Sequence, residues 1–536
     1  MFTLAMSLGI YASLLFFIGI FRMMYIPVVF SFTICYVGLV LFWQRKAIVN
    51  NLHIVKKIKI KGRLTLLLLV LISLQAIVNL IGALGPELAF DALWYHLTLP
   101  KLYLLSHTIS HIPGGLLYYS DMPKLAEMFY VTGLVFGNEI TVKLIHFSFG
   151  LLTAVTLYKF SRTFFSSLIS LIAVVIFYSN LVVAWESTTA YIDLVRAFFE
   201  IMALWAFSNW WKTNKKKWFV YSSLMVGFAI TTKLLAIGSL GIFLLLILYK
   251  SIKHRAKIRY ILLRLISYSI ISLAIPLPWF IFSYLATGNP VYPFFTHTYE
   301  VTTNSPNPLF VVIDLWNLFA KSADPLTPLY LIFFPLLFVT FSKLRSEIKL
   351  IVWYCGLSLV LWYFTPRTGG GRFILPYLPA MSLVCAAIYS ELKNKKLINY
   401  LIGLVILVSL ITIGYRGIAN SKYLPVIVGT QNRQTFLTNH LNFSFGDFYD
   451  TDSYFAQHIT KSDRVLLIGF HNLYYVDFPF VHNTWVKKGD KFTYIATQNT
   501  ELPKKFNNWQ LVYSNDKTLV QLYKAPRGEC PKQCQY

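Results

Sequence analysis

Acidic side chains are scarce in this 536-residue chain: 22 Asp and Glu stand against 48 Lys and Arg, a formal net charge of +26. All charged residues together reach only 13%, where a soluble domain carries about a quarter. A surface so poor in charge cannot stay wet and free of large apolar patches, which excludes a compact soluble protein. Low-complexity runs are also missing and aromatics make up 17%, which excludes a disordered chain. Cysteines number five. Cys35, Cys355 and Cys385 lie in apolar runs and read as core residues. Cys530 and Cys534 end a polar tail, where they could pair in an oxidising compartment. No G-K-[ST] phosphate loop and no dinucleotide fingerprint occurs, so a soluble nucleotide donor has no support.

What the chain has is hydrophobic sequence, 56% of all residues. Apolar runs approaching the length of a bilayer crossing fall at 4–21, 26–43, 64–84, 140–158, 163–183, 190–211, 217–232, 234–250, 259–285, 326–342, 348–365, 373–391 and 397–415. The expected fold is therefore a polytopic α-helical membrane protein with about 13 transmembrane helices. The first run lacks a basic flank and a small-residue cleavage site, and reads as a retained helix.

The basic residues sit in short clusters between these runs, which argues against nucleic acid as partner and for the positive-inside rule. Seven lie in 44–63, two at Lys159 and Arg162, four in 212–217, five in 250–259, three in 343–349 and three in 393–396. The alternate segments between runs carry far fewer: Lys101, Lys124, Lys233, Lys321, Arg367 and Arg372, with Arg22 between the first two runs. The expectation is a cell-membrane protein with a cytoplasmic N-terminus and an extracytoplasmic C-terminal tail. Parity then forbids the apolar stretch 122–137 from spanning, and it is assigned to a juxtamembrane or re-entrant helix on the outer side. Three divisions follow: two N-terminal helices and a basic linker over 1–63, a membrane domain over 64–415 with a long first outer loop at 85–139, and an outer domain over 416–536. In the last, Val465–Ile468, Leu511–Tyr513 and Leu519–Tyr523 read as strands, with a turn at 514–516, giving a small α/β domain.

The polar features gather on the outer side. If 89–98 is helical, Asp91, Tyr95 and Thr98 share a face, and Asp91 reads either as a general base or as an acid favoured by a helix N-terminus. Pro100 is expected to break that helix. Asp121 reads as a cap for a helix starting near Pro123 or as a second carboxylate for chemistry. His96, His107 and His111 share this loop with the carboxylates, but their spacing fits no metal motif, and no metal or cofactor is expected. Asp193, Arg196 and Glu200 share a face inside the sixth run, where Asp193 with Arg196 reads as a structural ion pair. Lys233 interrupts an apolar stretch at the outer surface, and Arg367 and Arg372 flank three glycines there. Cations at that depth suit a lipid phosphate. Neither Lys233 nor Arg372 has a carboxylate neighbour in its own segment, so an anion is expected to join them.

The run Phe90-Asp91-Ala92-Leu93-Trp94-Tyr95-His96-Leu97, followed by Pro100-Lys101-Leu102-Tyr103, resembles the first-loop motif of bacterial membrane glycosyltransferases of the GT-C superfamily. These are relatives of the dolichyl-phosphate-mannose–protein mannosyltransferases and the aminoarabinose transferases. The resemblance continues through Pro123 and Glu127, Gly227–Lys233, Pro278–Trp279, Thr287–Phe294 and Arg372–Pro379, and covers roughly 64 to 536. Many relatives carry an Asp-Glu pair in the first loop, whereas Ala92 follows Asp91 here. The resemblance implies a GT-C bundle and an inverting transfer of sugar from a polyprenyl-phosphate-linked donor to a lipid, glycan or protein acceptor. It implies Asp91 as base with Asp121 as the second candidate, and Tyr95, His96, Lys233, Arg367 and Arg372 as substrate contacts. A transporter or flippase of lipid-linked glycans is the rival, but it should often show internal symmetry and polar breaks near the midplane.

Overall fold

The computed structural model describes residues 1–55, 62–296, 311–322, 325–365 and 367–526. Lys56, Lys57, Lys59 and Lys61 of the basic linker and the Cys530–Cys534 pair lie outside the described residues, as does the side chain of Arg367.

Each predicted run is a helix or a helix pair. α1 is Phe2–Ile20, α2 Ile26–Val55 and α3 Arg63–Leu84. The first loop follows, with a π-helical turn at Ala92–His96, α4 at Thr98–Ser106, a tight turn at Tyr118–Asp121 and α5 at Leu125–Phe136. The bundle continues as α6 Glu139–Ser161, α7 Ser167–Tyr178, α8 Leu181–Glu186, α9 Asp193–Thr213, α10 Lys216–Thr232 and α11 Ile237–Lys253. Next come α12 Ile258–Ala274, α13 Leu277–Thr287 and α14 Val311–Ala320. After these stand α15 Leu329–Phe333, α16 Leu337–Thr340, α17 Ser346–Phe364, α18 Leu378–Glu391 and α19 Lys395–Ser421. Among the described residues seven helices are long and apolar enough to cross a membrane, or eight if α12 and α13, bent by 65°, form one broken span. The other expected spans are helices too short or too polar for that test. α9 carries Asp193, Arg196 and Glu200, and α7 has 12 residues.

The buried charges of α9 differ from the expectation. Arg196 does not pair with Asp193. It donates to Glu200 at 3.2 Å and to the Tyr377 hydroxyl at 2.8 Å. Glu200 also accepts from Ser239 and from Tyr354 at 3.0 Å. One carboxylate thus joins α9, α11 and α17, because a charge at this depth must be met by every polar group within reach.

α5 is enclosed by protein. It packs on α1, α2, α4 and α6, and Leu125 through Val131 are all buried. The Tyr11 hydroxyl of α1 lies 2.7 Å from Thr132 Oγ1, and Phe16 lies 4.2 Å from Trp279 between ring centroids. α1 is therefore part of the packed bundle.

The C-terminal domain holds five strands: β1 Val465–Ile468, β2 Phe480–His482, β3 Tyr494–Gln498, β4 Gln510–Asn515 and β5 Val520–Lys524. Their order is β2-β1-β3-β5-β4. β1 runs parallel to β2 and β3, and β5 is antiparallel to β3 and β4. The domain docks on the first-loop end of the bundle. Arg433 donates to Glu139 at 2.7 Å, the Tyr475 hydroxyl donates to the Glu87 carbonyl at 2.9 Å, and Lys101 Nζ reaches the Tyr474 and Val476 carbonyls at 2.7 Å. Gly85 permits the close approach, since a β-carbon there would stand 2.0 Å from the Tyr423 ring. At the opposite end Phe2 packs on Trp218, and Lys250 donates to the carbonyls of Trp210 and Trp211. The N-terminus and these basic clusters thus share one end, away from the sheet.

Candidate functional site

The site is built where α3 gives way to the first loop. Glu87 accepts the backbone N–H groups of Leu88 and Ala89 at 2.9 Å and of Ala190 at 2.6 Å. Lys143 of α6 donates to the Gly85 and Pro86 carbonyls. The backbone entering Asp91 is therefore pinned from two sides. The backbone N–H of Asp91 then donates to the Tyr191 hydroxyl at 3.3 Å.

The helix that follows is π-helical, so the expected face differs. The Tyr95 hydroxyl stands 3.5 Å from Asp91 Oδ2, a long contact, and Thr98 turns away to donate to the Leu93 carbonyl at 2.7 Å. Pro100 does not break the helix. It sits in the first turn of α4, where its missing N–H costs nothing.

Arg372 Nη1 donates to Asp91 Oδ2 at 2.8 Å. Its guanidinium lies over the Tyr191 ring, 4.8 Å from the centroid, and its Nε stands 3.9 Å from Asp193. That Nε is buried and has no hydrogen-bond partner among the described residues. Lys233 Nζ donates to the other oxygen of Asp193 at 2.7 Å. Lys233 and Arg372 are thus brought together as expected, but the anion between them is Asp193 of the protein. Asp193 is the first residue of α9, and its turn is held by His146, whose Nδ1–H donates to the Thr189 carbonyl while Nε2 accepts the Leu194 N–H. Its position at the outer end of a predicted span was legible in the sequence. Its partners were not, because they come from the end of α10 and from a glycine turn distant in the chain: Gly370, at φ +50°, turns the chain so that Gly371 N–H meets Ser322 Oγ at 3.1 Å.

The other polar residues of the first loop lie behind these groups. His96 Nδ1 lies 2.8 Å from Glu127 Oε1. Burial pushes the His96 imidazole below its ordinary pKa, against the pull of Glu127. Burial would raise the Glu127 carboxyl, but the nearby Lys124 charge and the His96 hydrogen bond outweigh it and hold the group low. His96 is thus turned from Asp91 toward Glu127. Lys124 is buried, its ammonium makes no hydrogen bond among the described residues, and Nζ lies 5.9 Å from the Tyr95 ring centroid. Burial lowers its pKa, opposed by Glu127 and Asp121. Asp121 is not a helix cap, since α5 begins after Lys124 without a side-chain cap. It is fully buried and accepts from Ser120 and, through both oxygens, from His111 at 2.8 and 3.0 Å. His107 stacks on Tyr25 at 4.0 Å. From the C-terminal domain His471 packs on Phe90 and Trp94, with ring centroids at 4.8 and 4.7 Å, a contact no local pattern announced. Among the described residues no group of three or more His, Cys, Asp or Glu side chains is arranged to hold a metal ion.

Residues 128–282 match the family model described as dolichyl-phosphate-mannose-protein mannosyltransferase. The fold is similar to that of ArnT from Cupriavidus metallidurans. The match to ArnT bound to undecaprenyl phosphate has a TM-score of 0.60 at 14% identity, covering 86% of this chain and 99% of that one. The match to its apo state has a TM-score of 0.57 at 13% identity, with the same coverage. No curated protein matches the chain by sequence. The architecture is thus ArnT-like, a multi-pass helical membrane bundle carrying a small C-terminal sheet domain.

Proposed function

We propose that this chain is a membrane glycosyltransferase that moves a sugar from a polyprenyl-phosphate-linked donor to an acceptor on the extracytoplasmic side. The observation that carries the reading is the Asp91–Arg372 contact at 2.8 Å. It joins a carboxylate able to accept a proton to a guanidinium whose buried Nε still has a donor to offer. The family match over 128–282 and the GT-C fold support the same chemistry.

In the reaction proposed, an acceptor hydroxyl attacks the anomeric carbon as its proton passes to Asp91. The new bond is oxygen to anomeric carbon. The bond that breaks joins that carbon to phosphate oxygen, and the electron pair leaves with the polyprenyl phosphate. Configuration at the carbon inverts in this single displacement. Arg372 and Lys233 face the phosphate, whose charge grows from diester to monoester as the sugar departs. Their attraction therefore strengthens in the transition state and lowers the barrier. Asp193 keeps the two cations from repelling each other before the donor arrives. Lys124, buried beside Tyr95 with an ammonium that makes no hydrogen bond among the described residues, is a third cation within the same region.

The test is polyprenyl-phosphate binding and sugar transfer by the purified full chain. Arg372→Gln should weaken binding of undecaprenyl phosphate and slow transfer. Normal binding and normal transfer by a folded Arg372→Gln variant would overturn the reading.

A further inference from the structure

A groove of about 900 Å³ runs between the first loop and the C-terminal domain. Its loop wall is Lys101 to Pro113, and its domain wall includes Lys461 to Arg464, Val476 to Phe480, Trp485 and Lys487. It is several times larger than the neighbouring cleft of about 280 Å³ around Glu139 and Arg433. Clefts at the junction of two parts of a fold are where ligands most often bind.

The lining has a definite chemistry. Phe478, Phe480 and Trp485 give it aromatic surface. Two of its cations are already paired, Lys101 with Asp477 at 2.7 Å and Arg464 with Asp490 at 3.1 Å. Its remaining carboxylate, Asp463, accepts from the backbone N–H and hydroxyl of Thr460. Lys461 and Lys487 pair with no carboxylate among the described residues. His111 completes the set. Its Nδ1 is held by the fully buried Asp121, its side chain is 30% exposed, and its Nε2 makes no hydrogen bond among the described residues. With Nδ1–H donated to Asp121, Nε2 faces the groove as an acceptor in the neutral ring and as a donor in the protonated one, the form that the Asp121 hydrogen bond favours. Hydrophobic rings with uncompensated cations fit a saccharide that carries negative groups: the aromatic faces meet the sugar's C–H surface and the cations meet carboxylate, phosphate or sulfate.

The His111 wall of the groove is joined to the candidate site through packed side chains. Asp121 follows Tyr119 and Ser120, and the Tyr119 ring packs on Tyr95 with centroids 4.4 Å apart. Tyr95 in turn stands beside Asp91. We propose that this groove binds an anionic saccharide as the acceptor, held by Lys461, Lys487, His111 and Trp485, so that its end reaches Asp91. The proposal deepens the glycosyltransferase reading and rests on it for the word acceptor.

The experiment measures binding of two probes to the full chain in detergent: a sulfated isomaltohexaose and the neutral hexasaccharide of the same length. The sulfated probe should bind at least tenfold more tightly. Lys461→Glu with Lys487→Glu should weaken it at least tenfold, and Trp485→Ala should weaken both probes. The control variant, Lys215→Glu with Lys217→Glu, changes the net charge equally at the other end of the bundle and should bind as the parent does. Equal weakening by both charge reversals, or parent-like binding by the groove variant, would overturn the proposal. Undecaprenyl-phosphate binding is measured alongside. Loss of the saccharide with donor binding intact in the groove variant supports the groove. Groove binding that persists while the parent protein neither binds undecaprenyl phosphate nor transfers sugar would overturn the transferase reading alone.

Discussion

At the scale of single residues, the site reduces to two carboxylates and two cations in alternation. Asp91→Asn keeps the shape but cannot take the proton. Transfer from a lipid-linked donor in membranes should fall on the order of 10²–10⁴-fold while the protein folds normally. Unchanged turnover would remove Asp91 as the base. Arg372→Lys tests geometry at constant charge. The guanidinium reaches Asp91 through Nη1 and faces Asp193 through Nε, and a single ammonium cannot do both. The variant should raise the apparent KM for the donor and lower kcat. Parent-like constants would show that charge alone suffices. Asp91 and Lys233 were legible as candidates because each is a charge amid apolar sequence, and Arg372 because it closes a glycine turn at the start of a run. Asp193 was legible too, but as the partner of Arg196. Helical spacing sees only the neighbours on one helix, and Lys233 and Arg372 approach from elsewhere.

Among the elements, α9 carries the heaviest charge. Removing one partner of its buried pair leaves the other uncompensated, at a cost of about 3–5 kcal/mol. Arg196→Met should therefore lower the melting temperature sharply in detergent, and Arg196→Met with Glu200→Gln should recover part of the loss. A double variant no more stable than the single one would show that the pair is not coupled. In the C-terminal sheet, His482 of β2 donates from Nε2 to the Phe470 carbonyl at 2.9 Å and accepts the Thr484 N–H on Nδ1 at 3.3 Å. Both nitrogens are used by the neutral ring, and burial pushes its pKa down to about 4. Because the folded value lies below the unfolded one near 6.5, the unfolded chain binds the proton first. Stability should thus fall as pH drops from about 6.5 toward 4, by at most on the order of 3 kcal/mol, and level off below. Thermal unfolding of the parent and of His482→Gln across that range checks the sign: the parent should lose stability more steeply.

For the whole molecule the question is orientation. The first loop and the C-terminal domain share one end of the bundle, and the N-terminus and basic clusters share the other. From the positive-inside rule we propose that the sheet domain lies outside the cytoplasm. In a background without native cysteines, Ser110→Cys and Ser444→Cys should react with an impermeant maleimide in intact cells, whereas Asn214→Cys should react only after lysis. The reverse pattern would move the proposed site to the cytoplasmic side.

The sequence by itself determined the class of fold. Long apolar runs, basic clusters at alternate ends and a change of composition after residue 415 are local properties, and they specify a multi-pass helical bundle with a polar α/β domain. β1 and the β4–β5 hairpin were readable from short apolar runs and a turn, while β2 and β3 were not, since their pairing with β1 is made across the chain. The tertiary structure alone decided which charges meet. Asp193 joins Lys233 to Arg372, Asp121 fixes His111, and the C-terminal domain lays His471 over Phe90 and Trp94. In a low-dielectric bundle a charge is stabilised by whichever opposite group the packing brings within reach. That group is set by how the helices pack, so no spacing along one segment could name it.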